Sequence, residues 1–350
     1  MSEQPKQHLN DVYVIRPLAI FLLVVWHSFI IYTGGWKEPI DYFTPVPGYW
    51  WLAKASYAFM LELFVFISGY VFGLSLQKRN IGIKSVAIGK LKRLIIPSIL
   101  FSIIYYLLFY NLSDFSILSF IYDIINGCGH MWFLPMLFWT TIIAYVIDKI
   151  DIHPLLKLVG VCCFPLLSII PAPLRLSTAL YYIPFFYAGI LVYRNRDAII
   201  NKICSRLSFS VLIGSILVVV FISTTFLNRD ILPILSNSDS IIVKGVIYAC
   251  KRYSQLLCAV CGIAFIYSIV NYLIHIKKIQ IPKWFIELNA TCFGVYLFQQ
   301  FILQILYYKT SLPSLAGPYW LPWVGLVVTL ILSYLLTKLS LKTKIGRQLM

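Results

Sequence analysis

The sequence predicts an all-α bundle of about ten transmembrane helices, and three observations lead there. Of 350 residues, 60% are hydrophobic and only 12% charged, against roughly a quarter charged in a soluble domain. The apolar residues gather into runs of about 20, the length of a helix that crosses a bilayer. The charges lie between the runs, and an excess of Lys and Arg alternates from one connection to the next. Such a chain cannot cover its apolar mass with polar surface, so its solvent is lipid. The net charge of +16 marks topology, and nucleic acid is not an expected partner.

The candidate spans cover approximately residues 12–33, 52–77, 94–112, 131–148, 154–171, 177–194, 208–227, 247–273, 286–308 and 320–340. The fifth and sixth are short and broken by Pro165, Pro171, Pro173 and Pro184. A proline frees a carbonyl and can bend a membrane helix, so one of the two is a candidate re-entrant segment. Residues 78–93 carry Lys78, Arg79, Lys84, Lys90, Lys92 and Arg93 without an acid. Residues 194–206, 275–287 and the tail are also basic, whereas the alternate connections balance Lys37 or Arg229 against Glu38, Asp41, Asp114, Asp123, Asp230 and Asp239. The loop at 148–157 is the exception, with Asp148 and Asp151 offsetting Lys149 and Lys157. This asymmetry predicts cytoplasmic termini and an even number of passes.

The polar stretch 1–11, with His8, precedes a run too long for a cleavable signal and lacking a small-residue cleavage site, so the first span is expected to be retained. No repeat or soluble module stands out. Residues 1–350 read as one membrane-embedded domain, with a polar cytoplasmic N-terminus (1–11) and a basic cytoplasmic tail (341–350). The cysteines fall mostly in apolar runs, and the C-x-x-C of Cys258 and Cys261 reads as buried small hydrophobes; no metal site is expected.

Ionisable residues inside the runs cost about 2.5–3.5 kcal/mol each to insert and are candidate functional groups. Arg16 and His27 are eleven residues apart in the first span. Eleven steps of about 100° return to the same helix face, about 16 Å further along the axis. Arg16 is placed at the cytoplasmic boundary and His27 at depth, where a neutral imidazole can act as a general base. Taken singly, Arg16 could be a snorkelling anchor and His27 an interhelical hydrogen-bonding group. Glu62 needs a proton or a cationic partner, with His27, Arg16 or another basic residue as candidates. Ser68 and Gly69 permit close helix approach. The glycines of G-C-G-H-M-W-F-L-P (127–135) predict an irregular helix start with His130 and Trp132 at the outer interface.

The chain resembles the acyltransferase 3 family of integral membrane O-acyltransferases. The matching features, in order, are Arg16 and His27 as R-x(10)-H, L-E-L-F-V-F-I-S-G-Y (61–70), K-L-K-R-L-I-I-P (90–97), G-H-M-W-F-L-P (129–135), I-P-F-F-Y-A-G-I-L (183–191) and F-G-V-Y-L-F (293–298). The resemblance implies transfer of an acyl group, usually acetyl from acetyl-CoA, to a hydroxyl of a surface carbohydrate or lipid-linked glycan. It implies a multi-pass protein of the cell (inner or plasma) membrane, with no tightly bound cofactor. His27, Arg16 and Glu62 are the expected catalytic residues; His130, Trp132, Arg93, Ser68 and Gln299 are expected to bind substrate. Gln299 stands where the family often has a histidine. The alternative expectation is a secondary transporter or flippase for a glycan-related substrate, but inverted repeats and paired broken helices are not evident.

Overall fold

The computed structural model describes residues 9–40, 43–78, 81–110, 115–236 and 240–349. His8, Asp41, Arg79, Asp114 and Asp239 lie outside the described residues. The regular elements among the described residues are all helical. The first half contains α1 (Asn10–Phe29), α2 (Pro47–Tyr57), α3 (Met60–Lys78), α4 (Ile83–Lys90), α5 (Ile96–Phe109), α6 (Ile117–Asn126), α7 (Phe133–Lys149), α8 (Pro154–Val161) and α9 (Phe164–Leu167). The second contains α10 (Leu176–Arg194), α11 (Arg196–Ile199), α12 (Leu207–Phe226), α13 (Leu232–Leu235), α14 (Ile241–Asn271), α15 (Lys283–Tyr308), α16 (Leu312–Ser340) and α17 (Lys344–Leu349).

Nine helical stretches among the described residues are long and apolar enough to cross a membrane. The fifth expected span, 154–171, is instead the short pair α8 and α9. Helix direction shows that this segment still carries the chain across. Helices α7 and α10 run parallel, with the Thr140 hydroxyl 3.4 Å from the Ala179 carbonyl and Asp148 2.7 Å from Arg194. Two consecutive helices run parallel only when their link returns the chain to the starting end. Residues 150–175 are that return, in broken form. Irregular backbone at membrane depth is tolerated where protein covers it and supplies hydrogen bonds. Here Tyr253 donates to the Cys162 carbonyl at 3.0 Å, and Ser168 and Tyr248 share a 2.6 Å hydrogen bond.

The same reasoning places both ends of the described chain together. Arg16 meets Asn289 and His27 meets Gln299, so α1 and α15 run parallel. Helix α16 then returns antiparallel, with Thr337 against Gly294 and Tyr307 against Gly325. The tail is not a free extension: α17 folds back so that Arg347 lines a cavity with Arg16.

The centre of the bundle is the crossing of α3 and α10. Gly69 faces the Phe186 carbonyl, and Gly189 faces the Phe66 carbonyl. Without side chains at these positions the backbones approach closely, which drives helix association in lipid through packing. Helix α12 lies at the periphery. Ser210 is its only buried side chain, so its apolar surface faces outward as lipid requires.

One correction concerns Asp11, read as part of a polar N-terminal segment. It is fully buried in the first turn of α1, where it accepts a 2.6 Å hydrogen bond from Tyr70 and lies 3.6 Å from Arg196. Asp11 thereby ties α1 to α3 and to the start of α11. Removing one partner of a buried ion pair costs about 3–5 kcal/mol. Thermal unfolding of the full chain in detergent is expected to show a loss of about that size for Asp11→Ala, and a smaller loss for Asp11→Asn, which still accepts from Tyr70.

Candidate functional site

Two adjoining cavities line the inner face of α1. The first, about 580 Å³, lies at the Arg16 end. Arg16, Lys90, Arg93 and Arg347 surround it, with Ser68 and Asn289 as polar neighbours. The Arg16 guanidinium donates to Asn289 Oδ1 at 3.3 Å. Arg93 reaches the cavity from a π-turn, Leu91–Ile95, which opens the helix just before Pro97. Proline cannot donate a backbone hydrogen bond, so the preceding turn widens. Arg16, Arg93 and Ser68, singled out separately in the sequence, thus face one space.

The second cavity, about 450 Å³, contains His27, His130, Trp36, Trp132 and Gln300. Leu23, Leu61, Phe133 and Tyr296 belong to the walls of both cavities. The Arg16 space therefore adjoins the His27 space directly. His27 is 8% exposed. Its Nδ1 lies 3.0 Å from Gln299 Oε1, so Nδ1–H donates to the amide oxygen. That tautomer leaves the Nε2 lone pair for a substrate. Trp36 stacks on the ring at 5.9 Å, with an interplanar angle of 11°.

His130 is buried in the bundle rather than sitting at an interface, with its ring 6.4 Å from that of His27. Its Nε2 lies 3.2 Å from the Leu297 carbonyl and donates to it. Its Nδ1 has no hydrogen-bond partner among the described residues, and neither do Gln299 Nε2 or Gln300 Oε1. Buried polar atoms are nearly always paired, so the open atoms of His130 and Gln300, both in the wall of this cavity, are groups available to a polar ligand.

The glycine-rich turn sets the position of His130. Gly127 and Gly129 have φ of 84° and 54°, in the left-handed region that favours glycine. A Cβ on Gly129 would stand 2.6 Å from the Tyr105 ring. The Ser102 hydroxyl accepts from Cys128 N at 3.0 Å, and Tyr296 donates to the His130 carbonyl at 2.7 Å. The turn is thus clamped between α5 and α15.

Glu62 lines neither cavity. It is 1% exposed and accepts a 3.1 Å hydrogen bond from Tyr181 on α10. The expected pairing with His27 or Arg16 is not formed, and Gln299 occupies the position on His27 that an orienting carboxylate would take. The Tyr181 ring in turn carries the Arg252 guanidinium at 5.3 Å. The sequence reading missed Asn289, Gln300, Tyr105, Trp36 and Arg252. A signal existed for two of them: Asn289 and Gln300 are eleven residues apart in an apolar run, the same one-face spacing as Arg16 and His27.

A family model described as an acyltransferase domain matches residues 10–338. Comparisons with curated proteins and with solved structures gave no match. The match covers the His27 cavity, all of the Arg16 cavity except the wall from α17, and every helix from α1 to nearly the end of α16, and with Arg16 and His27 in place the chain belongs to the acyltransferase 3 family of multi-pass membrane acyltransferases.

Proposed function

We propose that the protein transfers an acyl group, acetyl foremost, from acyl-CoA to a hydroxyl of a surface carbohydrate or lipid-linked glycan. One observation supports this most: the cavity ringed by Arg16, Lys90, Arg93 and Arg347 shares a wall with the cavity that holds His27. Four cations suit the phosphates of a CoA donor, and charge-assisted hydrogen bonds to phosphate are the strong kind. The Arg16 end is then cytoplasmic, in keeping with the basic connections there and with the cell membrane as location.

With the donor so placed, its thioester lies toward His27. His27 Nε2 takes the proton of the acceptor hydroxyl as that oxygen forms a bond to the thioester carbonyl carbon. The C–S bond then breaks, and the CoA thiolate leaves with the proton returned by the imidazolium. Gln299 keeps Nδ1 protonated and so keeps the basic lone pair on Nε2. His130 Nδ1 and Gln300 Oε1 are free to accept hydrogen bonds from hydroxyls of the acceptor, and Trp132 walls the same space. Glu62 supports the site from behind by holding Tyr181.

The test uses the full chain in nanodiscs with radiolabelled acetyl-CoA, following CoA release and label transfer to glycan extracts. His27→Ala is expected to lower turnover by about 10³-fold, within the range of general-base loss, while acetyl-CoA still binds. Undiminished turnover in that variant rejects the mechanism. Arg16→Ala is expected to raise KM for acetyl-CoA by about 10–100-fold, the worth of one hydrogen bond to a charged group, with a smaller effect on kcat. Gln299→Leu is expected to lower kcat with KM for acetyl-CoA unchanged, because it releases the His27 tautomer without touching the donor cavity.

A further inference from the structure

A third cavity, about 540 Å³, lies at the end opposite Arg16, between α2, α12 and α14. Its walls carry Lys54, Arg229, Lys251 and Arg252, and among the described residues contain no carboxylate. This concentration is unexpected on that end, because the connections there are otherwise balanced or acidic. Three of these cations rest on aromatic faces. Lys54 lies 5.6 Å from the Trp50 ring centre, Arg229 5.2 Å from the same ring, and Arg252 5.1 Å from Tyr248. Aromatic faces attract cations without neutralising them.

Among the described residues, Lys54, Lys251 and Arg252 form no ion pair, and Arg229 has only its exposed neighbour Asp230 at 3.5 Å. An exposed pair of that kind is weak. Arg252 is partly accounted for by the Tyr181 ring beneath it, whose hydroxyl bonds Glu62. Lys54 has the Trp50 and Trp26 rings beside it but no carboxylate behind them, and no ion pair or ring contact accounts for Lys251 among the described residues. Helix α14 has 31 residues, about 46 Å, so it overreaches a hydrocarbon core of about 30 Å. Lys251 and Arg252 lie about 15 Å from its N-terminal end.

This cleft leads inward. Tyr57 belongs to its wall and to the wall of the His27 cavity. A smaller space of about 300 Å³, walled by Tyr57, Trp132, Arg252 and Gln255, adjoins both. Thr224, Asn228 and Gln255 add neutral hydrogen-bonding groups between the aromatic faces. Flat aromatic faces, amide and hydroxyl groups and uncompensated cations together match a sugar that bears negative charge.

We propose that this cleft is the acceptor subsite and that it takes a saccharide carrying an anionic group, a carboxylate or a phosphate ester. The assignment rests on the acyl-transfer reading, since it supplies the hydroxyl that reaches His27 past Tyr57. A lipid headgroup fits less well, because the cleft borders the histidine cavity through their shared wall residue Tyr57.

The experiment measures binding of tri-galacturonate, glucose 6-phosphate and neutral maltotriose to the full chain in phosphatidylcholine nanodiscs. The expected result is at least tenfold tighter binding of one or both charged sugars than of maltotriose, and the stronger of the two names the anionic group. The double variant Lys251→Gln with Arg252→Gln is expected to lose that preference, as is Lys54→Gln in part, while each still binds acetyl-CoA at the Arg16 cavity, whose walls contain none of these residues, as a folded protein. Arg16→Gln is expected to leave sugar binding unchanged. Equal or no binding of charged and neutral sugars, or a preference that survives the double variant, overturns the proposal. Selective retention of phosphatidylglycerol without charged-sugar binding assigns the cleft to a lipid headgroup and overturns it too. Charged-sugar binding without any acetyl-CoA turnover keeps the anion subsite and rejects the acyl-transfer reading; turnover without charge preference does the reverse.

Discussion

Helices α1 and α15 meet along a seam in which polar groups inside the bundle face each other at matching depth. Arg16 bonds Asn289, His27 bonds Gln299, and the Ser28 carbonyl accepts from Tyr307 at 2.7 Å. In hydrocarbon a polar group without a partner is expensive, and no water is there to replace it. A slip of one residue would rotate the face by about 100° and unpair the whole set. The seam therefore holds one register, and that register uses Nδ1 of His27 while leaving Nε2 open. The parallel run of the two helices also requires the even number of passes that brings α17 back to Arg16.

Departures from regular helix recur where the cavities need cations or open backbone. Arg93 and Arg229 both sit on π-turns, Leu91–Ile95 and Leu227–Ile231, at opposite ends of the bundle. Such single-turn bulges re-aim a side chain without ending the helix. The turn at Gly127–Trp132 does the same for His130, pinned by α5 on one side and α15 on the other. Tight glycine crossings between α3 and α10 supply the rigid centre against which these irregular pieces are held.

How far the site could be read in advance differs residue by residue. Arg16 and His27 were legible because helical periodicity alone puts residues eleven apart on one face. Arg93 and Ser68 were legible as candidates, but their convergence with Arg16 depends on α3, α5 and α1 meeting. Glu62 was legible as a costly buried carboxylate, whereas its partner was not. Tyr181 lies 119 positions away, and tyrosines are too common in this chain for one to stand out. Asp11 was misread for a related reason: an acidic residue before an apolar run looks like solvated chain until Tyr70 and Arg196 are seen around it.

By itself the sequence determined what a one-dimensional pattern can carry: a helical membrane bundle, the approximate spans, and the shared face of Arg16 and His27. Run length, charge spacing and helical angle are local quantities, and hydrocarbon enforces them strongly. Only the tertiary structure decided that 150–175 crosses as broken helix, since the direction of α10 against α7 records it. The fold likewise decided that Gln299 orients His27, that His130 lies beside it, and that Lys54, Lys251 and Arg252 converge on one cleft. Those relations join residues from separate helices, and buried hydrogen bonds and packed rings fix them only once the helices have met. The Arg16–His27 face came from the chain; the tautomer of its histidine and the spaces on either side of it came from the fold.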